Sequence, residues 1–565
     1  MLALAIGAFW MLSSRSTLGP PPRLAPFTST AGFKNDLAFS PDGKELAFSW
    51  QGENNNDLGI SHIYVQLLGA GSPLQVTQAK TNDQSPAWSP DGRYIAFSRQ
   101  GPNEEAYYVV PALGGPERKV ADRDTERFGA GVSWSPDGKY LAVGDRGTGP
   151  SGESKISFIS VESGERVDSK IQFPEPFFTF PAFSPDGKYL AFIAGPGAFS
   201  DDVFVAPVTG GKPRAITTVH AFLLGLAWMP DSRNIVFSSN HTGLLSLWKI
   251  GVGGGEPEII STAADSAILP SVALSGNRLA FIKYQVDTNI WKVALSPTAH
   301  ALPVKIISST QEDGAPSLSP DGQRIVFSSN RTGANQIYVA GADGSNPIQL
   351  TSLKAPDTGT PRWSPDGKQI AFDSRLEGHS DIFVISADGG TPRRLTSGPN
   401  ENETPNWSHD GRWVYYTSEV SGTDQIWKVP SGGGQAVQVT AHGGLYPNES
   451  EDGRFLYYLG PDGDVRRHDF ANGTETHLFD PQSSGPDDLR VCGSELCYLE
   501  SPPTGLGRLV RYNPETKTSR TVVRLDAGSL VAGTRGIDIS ADGRWLVYTR
   551  PDSIVSDIMM VENFR

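Results

Sequence analysis

"WSPDGRYIAF", residues 88–97, reads as the end of one strand, a tight turn and the start of another. Ser89-Pro90-Asp91-Gly92 supplies the turn. Proline fixes φ at the first central residue, aspartate tolerates the second, and glycine accepts the left-handed conformation that follows. A three-residue hairpin loop, a type I turn plus a glycine bulge, requires this chemistry. The phrase recurs with its aspartate at Asp42, Asp91, Asp137, Asp186, Asp231, Asp321, Asp366, Asp410, Asp452 and Asp542. The interval is about 45 residues, a propeller period. It doubles twice, and each doubled interval holds a degenerate copy, "ALSGNRLAF" (273–281) and "RVCGSELCYL" (490–498). Ten clear turns and two eroded ones define twelve units.

Four short strands can be read in each unit. The first ends in an apolar or aromatic residue before the turn, as at Phe39, Trp88, Trp134, Phe183, Trp228 and Trp363. The second is β-rich ("YIAFSR", "RIVFSS", "WVYYTS"), the third reads "DVFVAPV" or "QIYVAGA", and the fourth "PLQVTQ" or "PRRLTS". No segment sustains a helical period, so the fold class is all-β: tandem propellers of four-stranded antiparallel blades. Twelve blades exceed the four to eight of one ring, and two six-bladed rings fit best. Five plus seven, or one large ring, satisfies the same strand count. The chain ends on a third strand, "SDIMMVENFR", while "PRLAPFTS" (22–29) has the fourth-strand pattern. A ring closed by its own first ribbon leaves no open sheet edge. The expected division is therefore a first propeller over 22–296, a linker over 297–303 and a second propeller over 304–565. Residues 22–29 would close on unit six and 304–309 on unit twelve.

The 565 residues carry 48 Lys plus Arg against 62 Asp plus Glu, a formal charge of −14. No basic stripe is available for nucleic acid, so none is expected as a partner. Residues 1–12, "MLALAIGAFWML", are an unbroken apolar run, followed by a Pro-containing linker over 13–21. A spanning helix needs about 20 residues. A poor signal peptide, a short anchor, or the outer part of a transmembrane helix are the readings; the third is favoured because Met1 opens directly inside the run. All three put the remainder outside the cytoplasm, periplasmic or extracellular, and the favoured reading tethers it to the inner membrane by the N-terminus. Cys492 and Cys497 flank a hairpin turn; a disulfide between them would suit an oxidising compartment, and two half-buried thiols are the alternative.

"PAWSPDGRYIAF" (86–97) and "PRWSPDGKQIAF" (361–372) resemble the repeat of the TolB-type, WD40-like propeller family. The resemblance runs from residue 22 to the end and implies fold far more than activity. The apolar segment followed directly by the propeller also resembles bacterial one-pass receptors, in which a CadC-like winged-helix regulator or a Ser/Thr kinase precedes the membrane helix. That analogy implies a sensor half whose cytoplasmic signalling domain is missing from this sequence.

Enzyme chemistry finds little footing. A propeller-capped serine hydrolase needs a G-x-S-x-G elbow, and the sequence holds none. There is no H-E-x-x-H and no close His/Asp/Glu trio, so neither metal nor cofactor is expected. The loops between strand four of one unit and strand one of the next gather at one channel mouth. They carry Asp83, Glu312, Asp313, Asp357, Glu401 and Glu403, an acidic collar suited to a cation or a basic peptide segment, or simply solvated loop tips. Arg99, Arg146, Arg331 and Arg375 fall near the variable loops between strands two and three; pairing with these carboxylates between neighbouring blades is their first expected use and anion binding at the channel mouth the second. The longest such loops span 49–62 and 144–155, where specificity tends to sit on a rigid scaffold. The turn aspartates, among them Asp42, Asp91, Asp137, Asp186, Asp321 and Asp366, read as structural. Glu449 stands where other units place the aromatic, and a carboxylate there should be exposed or paired. The expected function is a non-catalytic extracytoplasmic sensor scaffold for a protein or peptide ligand. A TolB-like component of an envelope complex, or a hydrolase-associated propeller, is the alternative.

Overall fold

The computed structural model describes residues 20–52, 60–69, 71–101, 104–123, 131–146, 154–172, 177–195, 200–295, 302–481, 489–500, 507–525 and 536–565. The expected membrane segment, residues 1–12, lies outside the described residues. Among those described, no helix is long and apolar enough to cross a membrane.

The repeated turn works through its serine and aspartate. Ser89 Oγ donates to Asp91 Oδ1 at 2.6 Å and accepts the Tyr94 N–H at 2.9 Å, while Asp91 Oδ1 accepts the Arg93 N–H at 3.1 Å. Gly92 sits at φ 72°, in the region that favours glycine. The same set forms at Ser40/Asp42, Ser135/Asp137, Ser184/Asp186, Ser319/Asp321 and Ser364/Asp366. These donors hold the aspartates below the usual carboxylate range; at Asp410 the Arg412 N–H leads and brings the value to about 2.

Each turn joins two strands of a four-stranded antiparallel sheet, and ten such sheets form. The hydrophobic clusters lie between consecutive sheets. One combines Ile63 and Val65 with Trp88, Ile95 and Phe97; another combines Ile156 and Phe158 with Leu190, Phe192 and Phe204. The second strand is therefore covered on both faces, which is why "IAFSR" (95–99) is a continuous buried run rather than an alternating one. Each fully buried side chain of this size contributes about 1.5–3 kcal/mol.

The chain divides into two compact units. The first takes residues through Ser239, then Leu245–Tyr284 and Val555–Arg565; the second takes Asn240–Leu244 and Gln285–Ile554. In the first, the inner strands Lys34–Phe39, Asn82–Trp88, Val132–Trp134, Phe177–Phe183, Leu223–Trp228 and Ala267–Val272 touch in a closed circuit. In the second, the circuit runs Asp313–Leu318, Thr358–Trp363, Asn402–Trp407, Leu445–Glu449, Leu489–Cys492 and Ile537–Ile539. Each unit is a six-bladed propeller. Blades are numbered 1–6 and 7–12 in this order.

The closing blades differ from the expectation in which third strand they use. Strand Arg278–Ala294 does not turn back after its first half, and neither does Trp545–Glu562. The first unit closes with 278–284, the chain's last residues 555–562, and the ribbon Arg23–Pro26, which pairs Ala25 with Met560. The second closes with 545–554, residues 285–294, and Val304–Ile307, which pairs Lys305 with Trp291. Residues 22–29 and 304–307 thus provide fourth strands, but the third strands are exchanged. The reason is visible in the chain. Elsewhere the link between strands two and three carries a glycine turn ("SSNRTGANQ", "SEVSGTDQ"), whereas "FIKYQVDTNIWKV" carries neither glycine nor proline and stays extended.

Neighbouring blades are also tied by the aromatic before each turn. The indole N–H groups of Trp88, Trp228, Trp363 and Trp407 donate to Ala38, Ala182, Ser317 and Arg362 carbonyls of the preceding blade at 2.9–3.1 Å. Trp134 Nε1 is buried with no such partner among the described residues. Trp363→Phe is expected to destabilise by about 1–2 kcal/mol, because it strands a buried carbonyl, whereas Trp134→Phe removes an unsatisfied donor and should be neutral or stabilising. Thermal unfolding checks this: the two variants should differ by about 2–4 °C or more in Tm.

Candidate functional site

Eleven of the twelve inner strands bear a residue at positive φ near their middle. Asp36, Ser85, Phe180 and Leu269 with Gly131 and Gly225 occupy it in the first unit; Ala315, Thr360, Thr404 and Tyr446 with Gly536 in the second. In blade 11 the corresponding position, Asp488, lies outside the described residues. At three places only glycine fits: a Cβ on Gly131, Gly225 or Gly536 would lie 2.9, 2.8 or 2.6 Å from the next blade's Cα. Recurrence in both units marks this bulge as architecture. It divides each channel into a mouth on the side of the repeated turns and a mouth on the side of the strand 4–1 loops.

At the loop-side mouth of the second unit, carboxylates from three consecutive blades converge. Thr358 opens the inner strand of blade 8, and its hydroxyl bonds Ser374 at 2.8 Å. With no acid there to meet it, Arg375 reaches forward to blade 9, donating to Glu401 at 2.8 Å and also to Glu403. Burial opposes the Arg375 charge, but Glu403, Glu401 and Asp357 outweigh it and raise its pKa. Asp357 takes one hydrogen bond from Asn335 at 2.9 Å. Glu312 is held above the usual range by desolvation and by Asp357.

Behind these stand three acids that the sequence reading did not single out. Asp373 is lifted to about 6, mainly by burial and then by Glu403, although Thr360 Oγ1 and the Thr404 N–H bond it. Glu419 is lifted to about 7 by burial together with Asp424, Glu401 and Glu403. Asp424 is raised by burial and by Glu403. Glu312, Asp357, Asp373, Glu401, Glu403, Glu419 and Asp424 are thus linked by mutual repulsion, and Arg375 acts on Asp357, Glu401, Glu403 and Glu419 among them. A signal for Asp373 did exist. The same register position holds Ser98 and Ser328, whose hydroxyls donate to Gln84 and Gly314 carbonyls at 3.2 Å, so an aspartate there departs from the repeat.

The other expected residues are placed elsewhere. Asp83 and Arg99 form a buried bidentate pair at 2.8 and 3.0 Å within blade 2, with Glu117 on the same guanidinium at 2.8 Å. Arg331 pairs with Asp313 at 2.6 Å within blade 7. Arg375 thus pairs with carboxylates of the neighbouring blade, whereas Arg99 and Arg331 pair within their own. The Arg146 side chain lies outside the described residues, as do 53–59 and 147–153 of the two long loops. Glu449 accepts the His409 N–H at 2.5 Å and the Tyr415 hydroxyl at 3.2 Å, so it replaces the missing indole as a tie to the preceding blade. Cys492 and Cys497 are joined as a disulfide. Among the described residues, no group of three or more His, Cys, Asp or Glu could hold a metal ion.

On the turn side, the first unit's channel opens into a cavity of about 460 Å³. The residue before each aromatic faces it, and that column is uniformly small: Ala38, Ala87, Ser133, Ala182, Ala227 and Ser271.

Closed six-bladed rings built on this turn define a propeller class, and comparison places the chain within it. The TolB beta propeller domain model matches residues 24–167, 133–357 and 351–484, and the chain belongs to that family. It is 31% identical over 171 residues to the Tol-Pal system protein TolB of Francisella tularensis subsp. mediasiatica, covering 29% of this chain and 39% of that protein. The chain spans only 36–39% of the length of the curated relatives it matches. A solved structure described as a putative TolB from Agrobacterium tumefaciens is similar at 19% identity, with 60% of this chain and 94% of that one covered and a TM-score of 0.27. The tricorn protease is similar at 13% identity, with 94% and 62% covered and a TM-score of 0.33.

Asp373 and Glu419 give the mouth a pH dependence of known sign. Carboxylates titrate near 4 when unfolded, and here at about 6 and about 7. The folded state therefore binds the extra protons, so stability is full below pH 4 and is lost as pH rises through 6–7. Hydrogen exchange over 358–425, corrected for intrinsic rates, should be faster at pH 8 than at pH 5. The Asp373→Asn, Glu419→Gln double variant should show a much smaller difference.

Proposed function

We propose that this chain is a non-catalytic binding scaffold, held outside the cytoplasm, that recognises a protein or peptide through a cationic segment seated at the loop-side mouth of the second propeller. The observation that carries this reading is the crowding of carboxylates at the mouth that holds Arg375, which together with burial lifts Asp373 to about 6 and Glu419 to about 7. Acids packed this closely repel each other, and a lysine or arginine entering the mouth relieves that repulsion where one resident guanidinium does not. The disulfide Cys492–Cys497 and the apolar run 1–12 support an extracytoplasmic, membrane-tethered setting. In that setting the propellers serve as the sensor portion of a transmembrane regulator. The second reading is a component of an envelope protein complex, favoured by the family match and by the relative described as a Tol-Pal system protein.

Calorimetric titration of a Lys/Arg-rich decapeptide against its Glu-substituted counterpart tests the recognition step. The cationic peptide should bind, more weakly as salt rises. Asp357→Asn and Glu403→Gln should each cost about tenfold in affinity, about 1.4 kcal/mol. Equal binding of both peptides, or peptide cleavage that disappears with Asp357→Asn, would overturn the reading.

A further inference from the structure

The bulge residues of the first unit form the inner end of its turn-side cavity, and one of them is charged. Asp36 holds the bulge of blade 1, where the other five blades place Ser85, Gly131, Phe180, Gly225 and Leu269, and all six border the space of about 460 Å³. Asp36 is the one charged side chain among the described residues that line it, and no lysine, arginine or histidine joins it there. The wall is otherwise largely apolar. Pro86, Pro181 and Pro270 follow the bulge, the small column comes next, and Trp88, Trp134 and Trp228 lie nearer the rim.

The serines of that wall are engaged in holding blades together. Ser133 Oγ accepts the Phe183 N–H at 3.0 Å and Ser271 Oγ accepts the Phe39 N–H at 3.2 Å, each across a blade boundary. Ser85 Oγ accepts the Gly131 N–H at 3.3 Å. Asp36 Oδ2 in turn accepts the Ser85 N–H at 3.0 Å and its hydroxyl at 3.4 Å. Asp36 Oδ1 takes no hydrogen bond among the described residues, and no basic group there acts on the carboxyl. Burial lifts this acid above the usual carboxylate range, opposed only by Ser85. A carboxylate kept from water without a counter-charge is costly, and a cation arriving from outside removes that cost.

We propose that the turn-side channel of the first propeller binds a small organic ammonium, its nitrogen donating to Asp36 at the inner end and its apolar body lying against the proline and tryptophan wall. Spaces of about 300–1,000 Å³ with apolar walls and a few convergent polar groups are the usual setting of a small-molecule site. One carboxylate at the end of such a wall selects two features of the ligand at once. The cation is held by attraction in a poorly solvated space, and the body by the apolar area it buries. From Asp36 to Pro41 the strand rises roughly 16 Å, at about 3.3 Å per residue, so the ligand has room for a ring behind a short stem. In the second unit the described bulge residues are Ala315, Thr360, Thr404, Tyr446 and Gly536, none of them charged. The proposed site lies in a different propeller from the acidic mouth and does not rest on that reading.

The test uses the full chain and three probes: 4-phenylbutylamine, 4-phenylbutanol and the capped tripeptide Ac-Gly-Lys-Gly-NH2. Calorimetry should show the amine binding about tenfold or more tighter than the alcohol, which lacks the charge, and than the tripeptide, whose ammonium lacks the aromatic body. Asp36→Asn keeps an acceptor for Ser85 and tolerates the positive φ of this position. Its Tm should therefore hold or rise, while affinity for the amine falls about tenfold or more and that for the alcohol is unchanged. Ala227→Phe, which fills the cavity from its wall, should weaken amine and alcohol alike. Glu403→Gln separates this site from the acidic mouth of the second unit and should leave the amine bound. Equal affinity for amine and alcohol, a tripeptide bound as tightly as the amine, or an unchanged amine affinity in Asp36→Asn would overturn the inference. So would amine binding lost in Glu403→Gln instead, or none at millimolar concentration.

Discussion

A β-sheet with an open edge invites another strand, and the whole architecture follows from sealing every edge into a ring. The turn made by serine, proline, aspartate and glycine builds a four-stranded blade that is buried on both faces, so no blade is stable without two neighbours. Six inner strands in closed circuit satisfy that demand in each unit. Only the closing blades need strands from distant parts of the chain. The ribbon Arg23–Pro26 and the terminal residues 555–562 complete one ring; 285–294 and Val304–Ile307 complete the other.

Much of this was legible in residues. The turn reports its own geometry, because Gly92 and its equivalents must adopt positive φ and the serine and aspartate must bond the following amides. The period then fixes blades, and an unpaired fourth-strand pattern at 22–29 foretells a closure. The exchange of third strands was less legible because "TNIWKVA" and "SDIMMVENFR" have the same apolar alternation, and nothing local in either names its partner sheet. What marks them is an omission: the links at 282–290 and 549–557 lack the glycine that turns the chain elsewhere. An expectation built on the residues present overlooks a turn that is missing.

The candidate sites were legible in the same uneven way. Loop carboxylates such as Asp357, Glu401 and Glu403 stood out, and the structure gathers them with Arg375. Asp83 and Asp313 looked alike in sequence, yet each is consumed by an arginine of its own blade. Asp373 and Asp36 were overlooked because each sits inside a strand, where polar residues pass as background alternation. They become conspicuous only when the same register position is compared around the ring. Serine gives way to Asp373 in one column, and uncharged residues to Asp36 in another. Function on a repeated scaffold is written as departure from the repeat, and the two rings share a frame while their channels carry different charge.

The first ring is shut by the ribbon Arg23–Pro26 together with residues 555–562. Paired cysteines test it directly. In the Ala25→Cys, Met560→Cys variant, mild oxidation followed by mass spectrometry should recover a peptide from the N-terminal ribbon bonded to one from the C-terminus, as the observed register requires. Absence of that linkage, with efficient bonding instead in a Lys305→Cys, Met560→Cys variant, would show that the last strand closes the second ring and would contradict the exchange.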